Sequence, residues 1–322
     1  MLIDTHAHLN FNAYKADADE VIRRSLDNQV WMINVGTNYE TSKKAVEIAR
    51  GHEKGVYATI GLHPIHLETG LVKIKNDTEE IEVKTKEEEF DYEKYKKLAL
   101  SEVKGSKKVV AIGEFGLDYY WKPKTTKKKE LFKQKQKEAF LQQLNLAKEL
   151  NLPVVFHCRM AHQDLIEVLK LKIKNEKLKI GGVIHCFTGS WKQAQEYLDM
   201  GFYLGFNGII FKFKGNETSS HLPPRVASPH SVLDEIIKKT PLDKILIETD
   251  CPYLTPPPES GRNEPLYVKY VAERIAEIKK IRAKRTSFYS SPSFLLRKNL
   301  AYEEIARITT ENAQKLFKNR AS

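Results

Sequence analysis

The sequence predicts an α/β protein built as a single (β/α)8 TIM barrel with loop insertions. Short apolar, β-branched segments alternate with longer helical ones along the 322 residues, and there are eight of the short segments. Such alternation is typical of parallel sheets with right-handed crossovers, and eight units favour a closed barrel over an open doubly wound sheet. No Gly-x-Gly-x-x-Gly motif follows the first strand, which argues against a dinucleotide-binding fold.

The predicted elements follow one another in regular order. Each strand is short and rich in β-branched or other apolar residues, as buried parallel strands are. The predicted strands are residues 2–4, 31–35, 56–60, 109–112, 154–156, 182–184, 203–206 and 245–248. Predicted helices between them include residues 16–28, 41–50, 130–150, 163–171, 191–200 and 231–239.

Four segments interrupt the alternation and are predicted to be insertions. Without them roughly 250 residues remain, the size of a typical barrel, so residues 1–322 are interpreted as one domain. The acidic run over 79–89 is expected to be disordered because of its like charges. The insertions are 71–89, with mixed charge, 122–129, rich in Lys and Thr, 212–231, rich in Gly, Ser and Pro, and 282–299, basic and rich in Ser.

The composition argues against several classes of protein, namely disordered, membrane-spanning and secreted ones. A hydrophobic content of 41% supplies a packed core and excludes a disordered protein. No apolar run approaches the roughly 18 residues of a membrane span, and the N-terminal segment lacks the regions of a signal peptide. The three cysteines form no Cys-x-x-Cys pair, which favours a reducing compartment. We therefore expect a cytoplasmic protein, with the nucleus as the alternative, that has no membrane partner and no obligate protein partner.

Side chains that bind metal ions end five of the predicted strands. In a barrel the C-terminal ends of the strands meet at one face, where active sites are built. His6 and His8 are two residues apart, so on an extended strand they point to the same side. Imidazole nitrogens and carboxylate oxygens together suit divalent ions such as Zn²⁺, Mn²⁺ or Mg²⁺. The sequence predicts a metal site formed by His6, His8, Glu114, His157, His185 and Asp250.

The cysteines are not expected to be ligands. Cys158, Cys186 and Cys251 each directly follow one of the candidate ligands. Consecutive side chains of a strand point to opposite faces, so the thiols should point away from the barrel interior, towards the helices. They are predicted to be small buried apolar residues.

Seven motifs resemble those of TatD-type metal-dependent deoxyribonucleases. The resemblance covers nearly the whole chain except the four insertions. It implies a TIM barrel with an amidohydrolase-like site that binds two divalent metal ions and cleaves DNA phosphodiesters, with Mg²⁺ favoured and Mn²⁺ or Zn²⁺ as alternatives. The motifs are IDTHAH at 3–8, IGEFGLDYY at 112–120, PVVFHCR at 153–159, GVIHCFTG at 182–189, ETDCPYL at 248–254, RNEP at 262–265 and TTENA at 309–313.

The resemblance also implies a role for each candidate ligand. Asp250 and Glu114 are implied to be catalytic, because Asp250 would accept the proton of the attacking water and Glu114 would bridge the ions. The implied ligand sets are His6, His8 and Asp250 for one ion, and His157 and His185 for the other.

Two further residues are candidates for binding the substrate. Arg159 lies two residues after His157 and is expected to bind a phosphate, with a salt bridge that caps the loop as the alternative. His63 either reaches the phosphate or packs beside Pro64. His66 lies one residue later than the family pattern has it, so the resemblance assigns it no role. Glu248 and Asp118 are expected to support the ligands.

The basic residues are concentrated locally, and this matters more than the net charge of +11. Residues 122–137 hold eight lysines and follow the fourth strand, so they either track a DNA backbone or form a solvated helix face. Tyr119, Tyr120 and Trp121 either stack on unpaired bases or pack into the barrel rim. Arg282, Lys284 and Arg285 are expected on the opposite face.

These features predict a divalent-metal-dependent deoxyribonuclease with DNA as its substrate and 3′–5′ exonuclease character. The alternative enzyme is a metal-dependent hydrolase of another ester or amide, such as an aminoacyl-ester deacylase, on the same binuclear site. A nucleic-acid-binding barrel without catalysis is disfavoured because all six ligand positions are filled.

Overall fold

Eight parallel strands of the computed structural model form one barrel sheet, and this confirms the predicted TIM barrel. The strands pair in the order in which they occur along the chain, apart from an inserted hairpin. The structure describes residues 1–68, 70–75, 80–85, 87–103, 107–211, 229–279 and 294–317. The barrel strands are β1 (Leu2–Ala7), β2 (Val30–Val35), β3 (Val56–Ile60), β6 (Val109–Asp118), β7 (Val154–Arg159), β8 (Gly182–Ile184), β9 (Tyr203–Phe206) and β10 (Ile245–Ile247).

Helices follow the strands and surround the barrel. The helices are α1 (Ala18–Asp27), α2 (Tyr39–Arg50), α3 (Tyr92–Val103), α4 (Thr126–Leu150), α5 (His162–Glu176), α6 (Trp191–Asp199), α7 (Pro229–Lys239), α8 (Val268–Lys279) and α9 (Phe294–Leu316). Capping boxes fix the first turns of α2 and α6, in which Asn38 and Ser190 each pair with the residue three positions later. No helix in the described ranges is both long and apolar enough to cross a membrane.

The barrel closes where the first and last strands meet. A parallel bridge joins Ala7 to Cys251, and the amide of Asp250 donates to the carbonyl of His6 at 2.8 Å. The buried carboxylate of Asp4 accepts hydrogen bonds from the amide and hydroxyl of Thr249, at 2.9 and 2.6 Å. These bonds bring β1 and the segment that follows β10 together at the C-terminal face of the barrel.

Strand β6 is longer than predicted. It continues past Gly113 to Asp118 and pairs with β7 as far as Arg159, with a register shift between Ile112 and Phe115. Gly113 has a φ of +152°, a conformation that residues with side chains disfavour. A glycine at this position is typical of a strand end, but here it marks an irregularity within a strand that continues. Glu114 therefore lies within β6 and not after it.

The disorder expected for the acidic run 79–89 is wrong. Residues within the first insertion form an antiparallel hairpin of β4 (Gly70–Lys75) and β5 (Glu80–Thr85). Apolar and charged residues alternate in both strands, and the register pairs Val72 with Val83 and Ile74 with Ile81. Such alternation favours strands even when the net composition is charged.

The other predicted insertions are only partly described. Helix α4 begins inside 122–129, and α9 begins inside 282–299. Most of 212–231 lies outside the described residues, and so do Arg282, Lys284 and Arg285.

An apolar layer closes the barrel below its C-terminal face. Val155 precedes His157 by two residues in β7, so the two side chains lie on the same side of that strand. Val155 belongs to one buried cluster with Val183, Leu246, Ala313 and Phe317, the last two at the C-terminal end of α9 and directly after it. Helix α9 therefore supplies the floor of the barrel, and the polar groups above it are shielded from water on that side.

Candidate metal centre

Glu114 lies at the centre of the site that the strands assemble. Its Oε2 is 3.4 Å from His6 Nε2, and its Oε1 is 2.8 Å from His157 Nδ1. His185 Nε2 is 3.9 Å from the same Oε1. The two oxygens of one carboxylate thus face different histidines, an arrangement that suits a bridging ligand.

Asp250 completes the cluster on the side of the barrel closure. Its Oδ1 is 3.5 Å from His8 Nε2 and 3.9 Å from His6 Nε2. Its Oδ2 is 3.8 Å from His185 Nε2. The structure therefore brings all six predicted ligands into one cluster.

The ligand atoms fall into three groups that could each hold an ion, with donor atoms within 4.8 Å of one another. One of them contains His63, which the sequence suggested only for substrate binding, because its Nε2 lies 3.6 Å from Glu114 Oε1. His66 is buried and belongs to none of the groups in the described residues. The groups are His6, His185 and Asp250; His6, His8 and Glu114; and His63, Glu114 and His157.

The outer ring nitrogens of three histidines contact groups of the surrounding protein. His8 Nδ1 donates to the carbonyl of Val35 at 2.9 Å. His157 Nε2 lies 3.0 Å from Asp118 Oδ2, and His185 Nδ1 lies 2.9 Å from Glu248 Oε1. Such partners orient a ring so that its other nitrogen faces the ion. The support expected from Asp118 and Glu248 matches these positions.

Glu248 is itself held by residues that the sequence did not single out. Its Oε1 accepts hydrogen bonds from the amide of Cys186 at 2.7 Å and from Asn207 Nδ2 at 3.4 Å. A Cβ at Gly205 would lie 2.5 Å from Glu248 Oε2, so only glycine leaves room for the carboxylate. Neither Gly205 nor Asn207 belongs to a motif, and only the packing of β8, β9 and β10 shows their roles.

The backbone is left-handed at two non-glycine residues of the site. Asp250 has a φ of +58° and Cys186 a φ of +45°. Such conformations are uncommon for side-chain-bearing residues and concentrate at functional sites. Cys186 lies two residues after the end of β8, and Asp250 lies three residues after the end of β10, so both belong to the loops at the C-terminal face of the barrel.

The prediction that all three thiols are buried is wrong for Cys186. Cys158 and Cys251 are buried, but Cys186 is half-buried and its Sγ lies 3.6 Å from Asn207 Oδ1. Strand β8 ends at Ile184, so strand alternation does not extend to Cys186.

The charges of the cluster are strongly coupled. Burial opposes ionisation of Glu114, but His63 and His6 hold its pKa well below the usual value. Burial also lowers the pKa of His6 and His63. Burial disfavours the cation of His157 as well, yet Asp118 and Glu114 raise its pKa to about 9. The site thus combines ionised carboxylates with neutral imidazoles at His6 and His63, whereas His157 keeps a proton that it must lose to bind a metal ion.

The remaining candidates lie at the rim. The guanidinium carbon of Arg159 is 3.8 Å from the centre of the Tyr120 ring. The hydroxyl of Tyr119 donates to Asp164 at 2.8 Å, so this ring packs into the rim. Tyr120 and Trp121 are half-buried and contact each other edge to face.

Comparisons with known proteins agree with this geometry. A family model described as TatD related DNase matches residues 3–318. The Bacillus subtilis (strain 168) protein named uncharacterized metal-dependent hydrolase YabD is 38% identical over 320 residues, which cover 99% of both chains. The Escherichia coli (strain K12) protein named 3′-5′ ssDNA/RNA exonuclease TatD is 31% identical over 282 residues, 85% of this chain and 90% of its own.

Solved structures give the same result. The crystal structure of YJJV, a TatD homolog from Escherichia coli K12, superposes with a TM-score of 0.70 at 26% identity and covers 98% of both chains. The match of fold, family model and relatives extends over nearly all of the sequence. The chain therefore belongs to the TatD-related DNase family of metal-dependent hydrolases.

Proposed function

We propose that this protein is a divalent-metal-dependent nuclease that hydrolyses DNA phosphodiester bonds from the 3′ end. The observation that carries the proposal is the position of Glu114, whose two oxygens face different groups of histidines. The exonuclease name of the Escherichia coli relative supports the choice of substrate.

The donor set fits divalent ions. The Nε2 atoms of His6 and His8 lie 3.2 Å apart and both are buried, so a cation that they share would satisfy both lone pairs. Imidazole suits Mn²⁺ and Zn²⁺, whereas Mg²⁺, favoured by the family resemblance, prefers oxygen ligands. We assign His6, His8 and Asp250 to one ion, His157 and His185 to the other, and Glu114 to the bridge.

Divalent ions bound there would supply the positive charge that polarises a phosphoryl oxygen and acidifies an attacking water. Asp250 is the more accessible carboxylate, since its side chain is 17% exposed and that of Glu114 only 4%. We therefore assign to Asp250 the acceptance of the water proton. His185, His8 and His6 keep the pKa of Asp250 low despite its burial, so the carboxylate is ionised and able to accept that proton.

The rim residues bind and orient the substrate in this proposal. Arg159 has five donors in a planar fork that matches two phosphate oxygens, and its contact with Tyr120 limits the positions of the guanidinium. His63 Nε2 lies 3.6 Å from Glu114 Oε1, where it contacts a phosphate oxygen or supplements the ligand set. Tyr120 and Trp121 stack on unpaired bases at the mouth.

The proposal is tested with protein stripped of metal by a chelator and then loaded with Mg²⁺, Mn²⁺ or Zn²⁺. Single- and double-stranded DNA labelled at the 5′ end should shorten progressively from the 3′ end, and EDTA should stop the reaction. The Asp250→Asn variant should retain its fold by circular dichroism and lose at least about a thousandfold in rate. Absence of DNA cleavage with every ion, together with hydrolysis of an aminoacyl ester, would overturn the proposal in favour of a deacylase.

A further inference from the structure

A cationic cavity lies beside the candidate metal centre and shares with it the supporting carboxylate of Asp118. It has a volume of about 250 Å³ and sits where β6 leads into α4. Its lining combines three lysines, three apolar or aromatic side chains and one carboxylate. The lining residues are Asp118, Tyr119, Lys122, Lys129, Phe132, Lys133 and Met160.

The carboxylate in this cavity does not cancel the lysines. Asp118 Oδ1 accepts hydrogen bonds from the amides of Tyr120 and Trp121, at 2.8 and 3.1 Å. Its other oxygen, Oδ2, lies 3.0 Å from His157 Nε2, so the imidazole partly neutralises the negative charge of the carboxylate. Asp118 is therefore engaged on both oxygens and turned towards the metal centre.

Two of the three lysines have no acidic partner in the part of the chain that the structure describes. No carboxylate lies within 4.0 Å of Lys122 or Lys129 there, and Lys133 is paired with the exposed Glu130 at 3.2 Å. An exposed pair of this kind contributes little and is easily exchanged for another anion. The cavity thus carries a net positive charge.

Two lysines further along α4, Lys135 and Lys137, do have acidic partners. Lys135 pairs with Glu87 at 2.6 Å, and Lys137 pairs with Asp164 at 2.7 Å. The lysine-rich segment therefore divides into a paired part and an unpaired part, and the unpaired part includes two residues of the cavity.

The cavity is also partly apolar. Phe132 is buried in its wall, whereas Met160 is 59% exposed although methionine is apolar. An anion alone would need only the lysines, but a nucleotide also presents a sugar and a base to apolar side chains. Asp118 lines the cavity and contacts His157, which in turn contacts Glu114. A ligand in the cavity therefore lies next to a phosphate bound at the candidate metal centre.

We propose that this cavity binds the nucleotide adjacent to the scissile phosphodiester, with its phosphate against Lys122 and Lys129 and its base or sugar against Met160. The proposal rests on the nuclease function proposed above and names the substrate class more closely. The preferred substrate is a polynucleotide with at least two phosphodiesters, because only such a strand fills the centre and the cavity at once.

The first test compares a trinucleotide, which has two phosphodiesters, with a dinucleotide, which has one. The Lys122→Ala, Lys129→Ala double variant should lower the ratio of their kcat/KM values by about tenfold, because each lysine that contacts a phosphate contributes to affinity. The matched control is Lys124→Ala, Lys128→Ala, which removes the same charge from the same segment outside the cavity. An unchanged ratio in the first variant, or an equal fall in the control, would overturn the proposal.

A binding measurement separates this inference from the proposed function. The affinity of a fluorescent trinucleotide is measured by anisotropy with a chelator present, so that no strand is cleaved. Loss of affinity in the cavity variant but not in the control supports the cavity even if no DNA is ever cleaved by the metal-loaded protein. Cleavage of DNA with equal affinity in both variants overturns the cavity and leaves the nuclease in place. Binding of inorganic phosphate as tightly as the trinucleotide also contradicts a nucleotide site.

Discussion

Two carboxylates at the edge of the candidate metal centre orient two of its histidines. Asp118 and Glu248 contact the ring nitrogens of His157 and His185 that face away from Glu114. A ring without such a partner can rotate or take the other tautomer, and both changes remove a donor. The support residues should therefore affect metal affinity although they are not themselves ligands.

We predict that Asp118→Asn lowers the affinity for the activating metal by about 10- to 100-fold. The amide keeps the size of the carboxylate but removes the charge that favours the His157 orientation. Metal titration of the stripped protein by calorimetry measures the effect. Glu130→Gln, which neutralises an exposed acid on α4, serves as the control and should bind metal as the unmodified protein does. Equal affinity in both variants would contradict the role of Asp118.

We predict that Gly205→Ala destabilises the protein by about 1–3 kcal/mol, because the new Cβ meets Glu248 Oε2 at 2.5 Å in a packed interior. The displaced carboxylate should also weaken metal binding. Urea unfolding measures the stability, and Gly51→Ala at the exposed end of α2 should change it far less. A Gly205→Ala protein as stable as the unmodified one would show that the carboxylate can move freely.

At the scale of the elements, α5 and α6 meet through a buried histidine outside the metal centre. His162 opens α5, and its Nδ1 lies 3.2 Å from the hydroxyl of Tyr197 on α6. Burial lowers the pKa of His162 to about 4. The positive end of the α5 dipole also disfavours a cation at this position.

This histidine should make stability depend on pH. Its pKa is lower in the folded than in the unfolded chain, so its contribution is present above pH 6.5 and is lost as the pH falls towards 4. Chemical unfolding should show His162→Gln to be less stable than the unmodified protein near pH 8, with the gap shrinking by roughly 2 kcal/mol near pH 5. A gap that stays constant across this range would exclude the titration of His162 as the cause.

Elements could be predicted from the sequence when their pattern is contained within a few neighbouring residues. Strands β1 and β7 carry His6 and His157, and β8 ends one residue before His185; each begins as a short apolar run whose pattern is complete within a few residues. The hairpin β4–β5 was missed because charge obscured its alternation. Strand β6 was cut short because Gly113 resembles a strand end in the sequence but lies at a register shift in the sheet.

The support of the site could be predicted less well than its ligands. Gly205 and Asn207 act on Glu248 across neighbouring strands, and no local pattern reports such a contact. The burial of Cys186 was predicted wrongly for a different reason: strand alternation was extended past Ile184, where β8 ends both in the prediction and in the structure. Contacts between strands that are distant in sequence therefore account for most of what was not foreseen.

For the whole molecule, metal should stabilise the fold in a pH-dependent manner. Despite burial, neighbouring carboxylates raise the pKa of His157 to about 9 and that of His185 to about 10, so both rings hold a proton that an ion must displace. Metal binding therefore releases protons and weakens as the pH falls. The rise in Tm on adding metal should be larger near pH 8 than near pH 6. Scanning calorimetry with and without metal measures the rise in Tm. A rise that is equal at the two pH values, or larger near pH 6, would contradict the assignment of these histidines as ligands.

The closure of the barrel between Ala7 and Cys251 has a consequence for synthesis of the chain. A nascent chain that has not yet emerged past β10 contains His6 and His8 but lacks Asp250, and its β1 has a free edge. Neither the sheet nor the donor set is complete at that stage. An enzyme that cuts DNA with this centre would therefore become active only after its last strand has joined its first, so unfinished or truncated chains would carry no nuclease activity into the cell.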